Sequence, residues 1–423
     1  MVNDLRSLLH ETSDNAPHDH YDVASTIRLG NSRLRRRRAT VTGACALAAS
    51  AVIGSALVLG GSTDRTPPDG PTTEPVGEVL DLQDATASDL EPILRYEIEL
   101  AFATTRFVDG VTEAGQALVR DATNNPNRWR SMLVDLATGA ETSLPALPGP
   151  SAWLLEATDE RIVYNYDNST LQSGPTTREV GALVLDVASD TWREMRWPDL
   201  PEGTVLDRDV GPDGRMYVSI NPDAEDLDTM TAEGLTGDLW SVSLTDPADV
   251  RDEGLVVGGF AIDGDHLVWS ERAGGVSNQL TVRDMQTGEE TSFDPQSGRH
   301  CTQTYLGLDS DRIVMSQSCG TEGGVTDDRV QVVTMTGEPV VTFRDDNIWG
   351  HVDGGGHVLI EATERGDEGE GVYFYDLATG DFVRLSTSIV RYVPPAQVAA
   401  GYLLWAEGLG TDGMFAQTIA RVP

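Results

Sequence analysis

Lysine is missing altogether from this 423-residue chain: its 30 basic residues are all arginines, set against 68 acids. Residues 1–38 hold 7 arginines and 5 acids, so the remainder carries 23 arginines and 63 acids, a balance of −40. Such a body repels DNA and anionic membrane and stays soluble. The arginines near the N-terminus lack any aromatic or basic scaffold, which excludes a nucleic-acid partner. Also missing are GxSxG, HExxH and GxxxxGK[ST], so none of these local catalytic or phosphate-binding motifs is present. Collagen-like, coiled-coil and leucine-rich periods are absent as well. Cysteine is scarce, with three in the chain, and only one long uncharged run occurs.

What is present is repetition. The pentapeptide Asp-Leu-Ala-Thr-Gly begins at Asp135 and again at Asp376, 241 residues later. Degenerate copies lie between, including DVASD at Asp186, DMQTG at Asp284 and MTG at Met335, each after a short apolar run. A second motif alternates with the first: two apolar runs around an Asp- or Gly-containing turn, as in "GFAIDGDHLVWS" and "YLGLDSDRIVMSQ". Counted from Asp159, Asp213, Gly264, Asp311, Gly354 and Ala400, the steps are 54, 51, 47, 43 and 46 residues. Alternation, β-branched residues and Asp-Gly turns are hairpin signals.

One small antiparallel sheet cannot bury both of its faces, whereas radial stacking gives each sheet two neighbours. The expected fold is therefore all-β: a β-propeller of seven four-stranded blades, with six as the alternative, preceded by one transmembrane helix. Two ordinary β-sandwiches would not place the two motifs in the same order six times. An earlier unit is expected over about residues 91–148. The last unit lacks a strand after MFAQTIARV, and "GEVLDL" at residues 77–82 is expected to supply it from the other end of the domain.

The transmembrane expectation rests on "ATVTGACALAASAVIGSALVLGG", uncharged from Ala39 to Gly61 and long enough to span a bilayer. Arg33, Arg35, Arg36, Arg37 and Arg38 precede it and would keep residues 1–38 in the cytoplasm. The alternatives are a cleaved signal peptide and a buried helix. Residues 62–76 read as a Pro/Thr-rich linker, leaving residues 77–423 as an extracytoplasmic propeller on a single-pass membrane protein.

Two loops between second and third strands are strongly acidic: residues 220–238 hold six acids and no base, and residues 361–371 hold five acids and one arginine. They would gather on one face of a propeller, either as ordinary solvated loops or as a surface for a basic protein, a cationic ligand or a cell-envelope component. Cys301 and Cys319 each stand nine residues from Ser310, at the middle of one hairpin. Closed by a three-residue turn, that hairpin puts them opposite each other within disulfide reach, and a metal pair is the competing reading. His266 and His357 occupy equivalent positions just after their turns, as a structural repeat or as a site. Asp263–Asp265 and Asp309–Asp311 read as turns or as calcium ligands. No other cofactor, and no catalytic residue, is indicated.

The PDGRMYV stretch at Pro212–Val218 and the DLATG units resemble the repeats of TolB-like and related WD40-like propellers. The order of short tail, arginine cluster, apolar run, linker and acidic lysine-free body is similar to membrane-anchored propeller proteins of high-GC Gram-positive bacteria. That resemblance implies a non-enzymatic cell-surface binding or scaffold module, or a sensor. The alternative is an extracytoplasmic hydrolase or lyase with its active site near the propeller axis, since a ring brings together residues far apart in sequence.

Overall fold

The recurrent Asp-Leu-Ala-Thr-Gly segment closes the outer hairpin of a four-stranded blade. Asp135 Oδ1 accepts the N–H groups of Ala137 and Thr138 at 3.0 and 2.7 Å, while the Gly139 N–H donates to Asp135 O at 2.7 Å. Asp376 repeats the device with Ala378, Thr379 and Gly380 at 2.7, 2.9 and 2.8 Å. Asp284 does so with Gln286, Thr287 and Gly288 at 2.9, 2.8 and 2.8 Å. The three glycines have φ of +72°, +77° and +74°, where any side chain is strained. The motif recurs because a carboxylate that satisfies two turn amides and a glycine that reverses the chain are needed together.

The computed structural model describes residues 77–99, 106–121, 130–147, 152–167, 180–222, 236–270, 279–297, 301–309, 311–322, 325–352, 355–363, 369–390, 396–410 and 414–422. All lie in the second of the two units into which the chain divides, Thr63–Pro423. They form seven sheets. Blades 1 to 6 span residues 106–143, 152–196, 204–257, 259–293, 302–345 and 348–386, each with four strands in sequence order. Blade 7 takes three strands from residues 397–421 and its fourth, Pro92–Glu99, from the N-terminal side. The count is seven, and the six-bladed alternative falls.

Each blade is apolar on both faces, and the alternation of side chains along a strand sends neighbours to opposite flanks. In Val180–Asp186 of blade 2, Ala182 and Val184 join an apolar cluster with Val205, Met216 and Val218 of blade 3. Leu183 and Leu185, one step out of phase, pack with Leu118 and Leu133 of blade 1. Such a cluster fills each of the seven boundaries between blades among the described residues. The core is therefore a ring of inter-blade layers around an axis lined by the first strand of each blade.

Ring closure uses a different segment from the one expected. Pro92–Glu99 pairs antiparallel with Met414–Arg421, and Ile98 is buried at 1 % exposure between Ala406 and Phe415. "GEVLDL" instead supplies Glu78–Asp81, which runs parallel to the outer strand Pro339–Asp345 of blade 5. Thr86–Ala87 continues parallel to Phe382–Ser386 of blade 6, and Leu82 between them is buried in the layer shared by those two blades. The N-terminal segment thus girdles three blades in turn. Blade 1 is correspondingly shorter than the expected 91–148, because its apparent first strand belongs to blade 7.

The expectation of a transmembrane helix is also corrected. No helix among the described residues is long and apolar enough to cross a membrane. The run 39–61, the tail 1–38 with Arg33, Arg35, Arg36, Arg37 and Arg38, and the linker 62–76 lie outside the described residues. The single-pass topology and the membrane partner drawn from them are not supported.

Cys301 and Cys319 are joined by a disulfide within blade 5. The route to that pairing differs in detail from the three-residue turn expected. Asp309 pairs with Arg312, a turn one residue shorter, and an irregularity between Gln303 and Tyr305 shifts the register by one. Thr302 then faces Ser318, and the shift restores the alignment of the two cysteines.

Candidate site in the axial cavity

The first strands of all seven blades enclose a cavity of about 1030 Å³ along the ring axis. Its lining runs from Leu154–Arg161 in blade 2 and Asp207–Val210 in blade 3 to Tyr305–Leu308 in blade 5 and Gln397–Ala399 in blade 7. Eight acids, among them Glu156, Asp207, Asp209 and Asp263, face three arginines, Arg161, Arg193 and Arg208. The formal balance of the wall is −5.

The first strand of blade 3, Thr204–Val210, carries the densest chemistry. Its segment Asp207-Arg208-Asp209 alternates between flanks: Arg208 Nη1 donates to Asn165 Oδ1 of blade 2, whereas Asp209 turns to blade 4. Asp209 Oδ1 accepts the Val210 N–H at 2.8 Å, and Oδ2 accepts the Ile262 N–H at 3.4 Å. Asp209 is half-buried in the cavity wall. Burial first, then the Asp207 charge, pushes its pKa up to about 7, with Asp263 adding and the two backbone donors opposing. Asp209 therefore exchanges a proton near neutrality, a condition for acid–base chemistry. Asp207 lies two residues away on the same flank and is exposed. Strand geometry sets the two backbone positions about 6.6 Å apart.

Other charged groups, at the cavity or behind its lining, serve the ring itself. Glu156 holds Arg161 through two hydrogen bonds of 2.6 and 2.7 Å. Asp109, on the first strand of blade 1 and 1 % exposed, pairs with Arg120 Nη2 at 2.5 Å and accepts the Tyr164 hydroxyl at 2.6 Å. Burial and then the Asp109 charge push the Tyr164 phenol up.

The residues singled out from sequence are mostly structural here. His266 and His357 stand in register with Asp284 and Asp376, the acids of two DxxTG turns. His357 also stacks on Phe374 at 5.1 Å. The candidate calcium carboxylates act in turns: Asp265 Oδ2 accepts Gln286 Nε2–H at 2.6 Å, and buried Asp309 accepts the Gly356 N–H at 2.6 Å. No group of three or more His, Cys, Asp or Glu side chains among the described residues is placed to hold a metal ion. The acidic loops fall largely outside the described residues. Sequence reading missed Asp207 and Asp209; the signal available was "VLDRDV", three charges on a strand that a propeller turns toward its axis.

No protein-family model matches the sequence, and no curated protein matches it. The TolB-like and WD40-like membership expected from PDGRMYV and DLATG is therefore corrected: those motifs carry the fold and not the family. Among solved structures, the chain is similar to an oligogalacturonate lyase in complex with manganese, with TM-score 0.51, 11% identity, and coverage of 80% of this chain and 98% of that one. It is also similar to an acylaminoacyl peptidase of Pyrococcus horikoshii (TM-score 0.42, 10% identity, 71% of this chain and 50% of that one). The β-propeller domain of the Trilobed protease of Pyrococcus furiosus gives TM-score 0.39 and 12% identity, over 60% of this chain and 78% of that one. The similarity to the lyase shows a shared propeller fold. At 11% identity that likeness carries the fold alone, and the chemistry of this chain has to be argued from its own cavity.

Proposed function

We propose that this chain is a hydrolase that works at the wall of its axial cavity, with Asp209 as proton donor. The observation that carries the reading is the half-buried Asp209 carboxyl, poised near pH 7 in a cavity large enough for a small organic substrate. Protonated Asp209 gives its proton to the leaving group as the scissile bond breaks. Asp207 takes a proton from the attacking water, whose oxygen forms the new bond. Water is added across the broken bond, and the two carboxyls reset by exchanging protons with solvent. An eliminative reaction on a polyuronate fits less well, because a wall of balance −5 repels a polyanion.

The test is a panel of chromogenic esters, amides and glycosides, neutral and cationic, with polygalacturonate alongside. Turnover of a neutral or cationic member is expected, falling above about pH 7 and dropping about 100-fold or more in Asp209→Asn. Absence of turnover across the panel, or full activity in Asp209→Asn, overturns the reading.

A further inference from the structure

The cavity wall is divided by blade. All eight acids and all three arginines come from blades 1 to 4. Blades 5 to 7 contribute no charged side chain: Tyr305, Leu306, Leu308, Val352, Val398 and Ala399 make an apolar arc, with Gln397 as its polar side chain. Leu306, Leu308 and Val398 are packed in the inter-blade layers, so the half-buried Tyr305, Val352 and Ala399 offer the apolar surface of this arc to the cavity. A ligand that fills the ring therefore meets all of the wall's charge, net negative, among blades 1 to 4, and an uncharged, largely apolar surface on the side of blades 5 to 7. Arg161 is engaged by Glu156 of the same arc, and the charge of Arg193 reaches Asp186, whose carboxyl is held low first by its hydrogen bonds with Ser189 and to a lesser degree by that arginine. The arc keeps its negative sign.

We propose that the site takes an amphipathic cation: a substrate with a protonated amine held by the acidic arc and an aliphatic or aromatic body against the apolar arc. A polyanion is repelled by the first arc, and a fully polar cation leaves the second unfilled. A neutral apolar molecule gains nothing from the carboxylates. The class includes short aminoacyl amides and esters with apolar side chains, whose amine and hydrocarbon diverge from one carbon. This inference names the substrate of the hydrolytic site and so rests on that reading, but binding tests it apart from turnover.

The experiment is titration of the full chain with hexylamine, hexanol, hexanoate and methylamine, followed by calorimetry at pH 7. Hexylamine is expected to bind at least about tenfold more tightly than each of the others, the size of one desolvated charge contact plus a filled apolar surface. Asp263→Asn should weaken hexylamine by about threefold or more and leave hexanol unchanged. Val352→Thr should weaken hexylamine and leave methylamine unchanged, and near-ultraviolet circular dichroism checks that both variants keep the native ring. Equal binding of all four probes, preference for hexanoate, or no effect of either variant overturns the proposal. Amine binding without turnover of any substrate removes the hydrolase reading alone, and turnover without preference for amines removes this one alone.

Discussion

Gln417 grips both backbone groups of Val108 across the seam where the ring closes: its Oε1 accepts the Val108 N–H at 2.7 Å, and its Nε2 donates to the Val108 carbonyl at 2.9 Å. Gln417 lies on the third strand of blade 7, and Val108 on the first strand of blade 1, where the pairing with blade 1's second strand is irregular. The side-chain amide thus ties the third strand of blade 7 to the first strand of blade 1. Gln417 is 2 % exposed, so water does not reach the groups it satisfies.

Removing that amide leaves a buried N–H and a buried C=O without partners. Gln417→Ala is expected to cost about 2–4 kcal/mol, since an unsatisfied buried group costs more than the net worth of the bond it lost. Denaturant titration measures it. A change within about 0.5 kcal/mol, the range of ordinary surface substitutions, means that the seam does not depend on this contact.

The closing strand makes a second prediction. Ile98→Ala deletes a side chain buried at 1 % exposure in the closing strand and is expected to cost about 2–5 kcal/mol. Val79→Ala, on the girdling strand and 45 % exposed, should stay within about 0.5 kcal/mol. The reverse order of the two values would assign ring closure to residues 78–81 after all.

These two segments show what the sequence could and could not disclose. Repeat length, hairpin turns and the DxxTG motif were legible because each follows from local chemistry: strand alternation, an Asx turn, a glycine at positive φ. The missing strand of the last blade was legible as a deficit. Its donor was not, because "VLDL" and "ILRYEIE" both alternate, and the choice between them depends on how far the chain must travel around the ring. The cysteine pairing was predicted correctly although two local details differed, a shorter turn and a register shift that cancel. Asp209 was hidden for another reason. Its altered proton affinity arises first from burial in the assembled ring, which no local spacing encodes, and then from the neighbouring Asp207 charge, with Asp263 of the next blade adding a smaller part.

The disulfide lends itself to a direct measurement. It links residues 18 apart, a loop whose closure is worth about 3 kcal/mol in the unfolded chain if the native hairpin is unstrained. Both cysteines are buried, so replacement by alanine avoids burying new hydroxyl groups. Cys301→Ala with Cys319→Ala is expected to lower stability by about 1–3 kcal/mol while the ring stays folded. Alkylation of unfolded protein that has never met reductant should leave both positions unmodified. Two alkylated residues there would show that the bond does not form.

The titration of Asp209 predicts a pH dependence of fixed sign. Its pKa is about 7 in the folded chain against an ordinary 3.8, so the folded state holds a proton that the unfolded state has released across that interval. A raised folded pKa gives a contribution to stability that is complete below the unfolded value and is lost as pH climbs through the folded one. Stability should therefore decline from this group between about pH 4 and pH 7, with a slope of at most about 1.4 kcal/mol per pH unit for one proton. Other carboxylates act oppositely: Asp135, lowered by its bonds to Thr138, and Asp249, lowered first by Arg215, both favour the folded state as pH rises through the acid range. The clean readout is accordingly a difference. Asp209→Asn cannot ionise, and its single amide oxygen accepts only one of the two backbone N–H groups that Oδ1 and Oδ2 hold, so the variant carries a pH-independent loss and only the pH-dependent part of the difference is read. Subtracting its stability–pH curve from that of the native chain should isolate a decline for the native protein relative to the variant, levelling off above pH 7. Parallel curves would mean that Asp209 ionises in the ordinary carboxylate range, and the proton donor assigned to the axial cavity would have to be sought elsewhere on its wall.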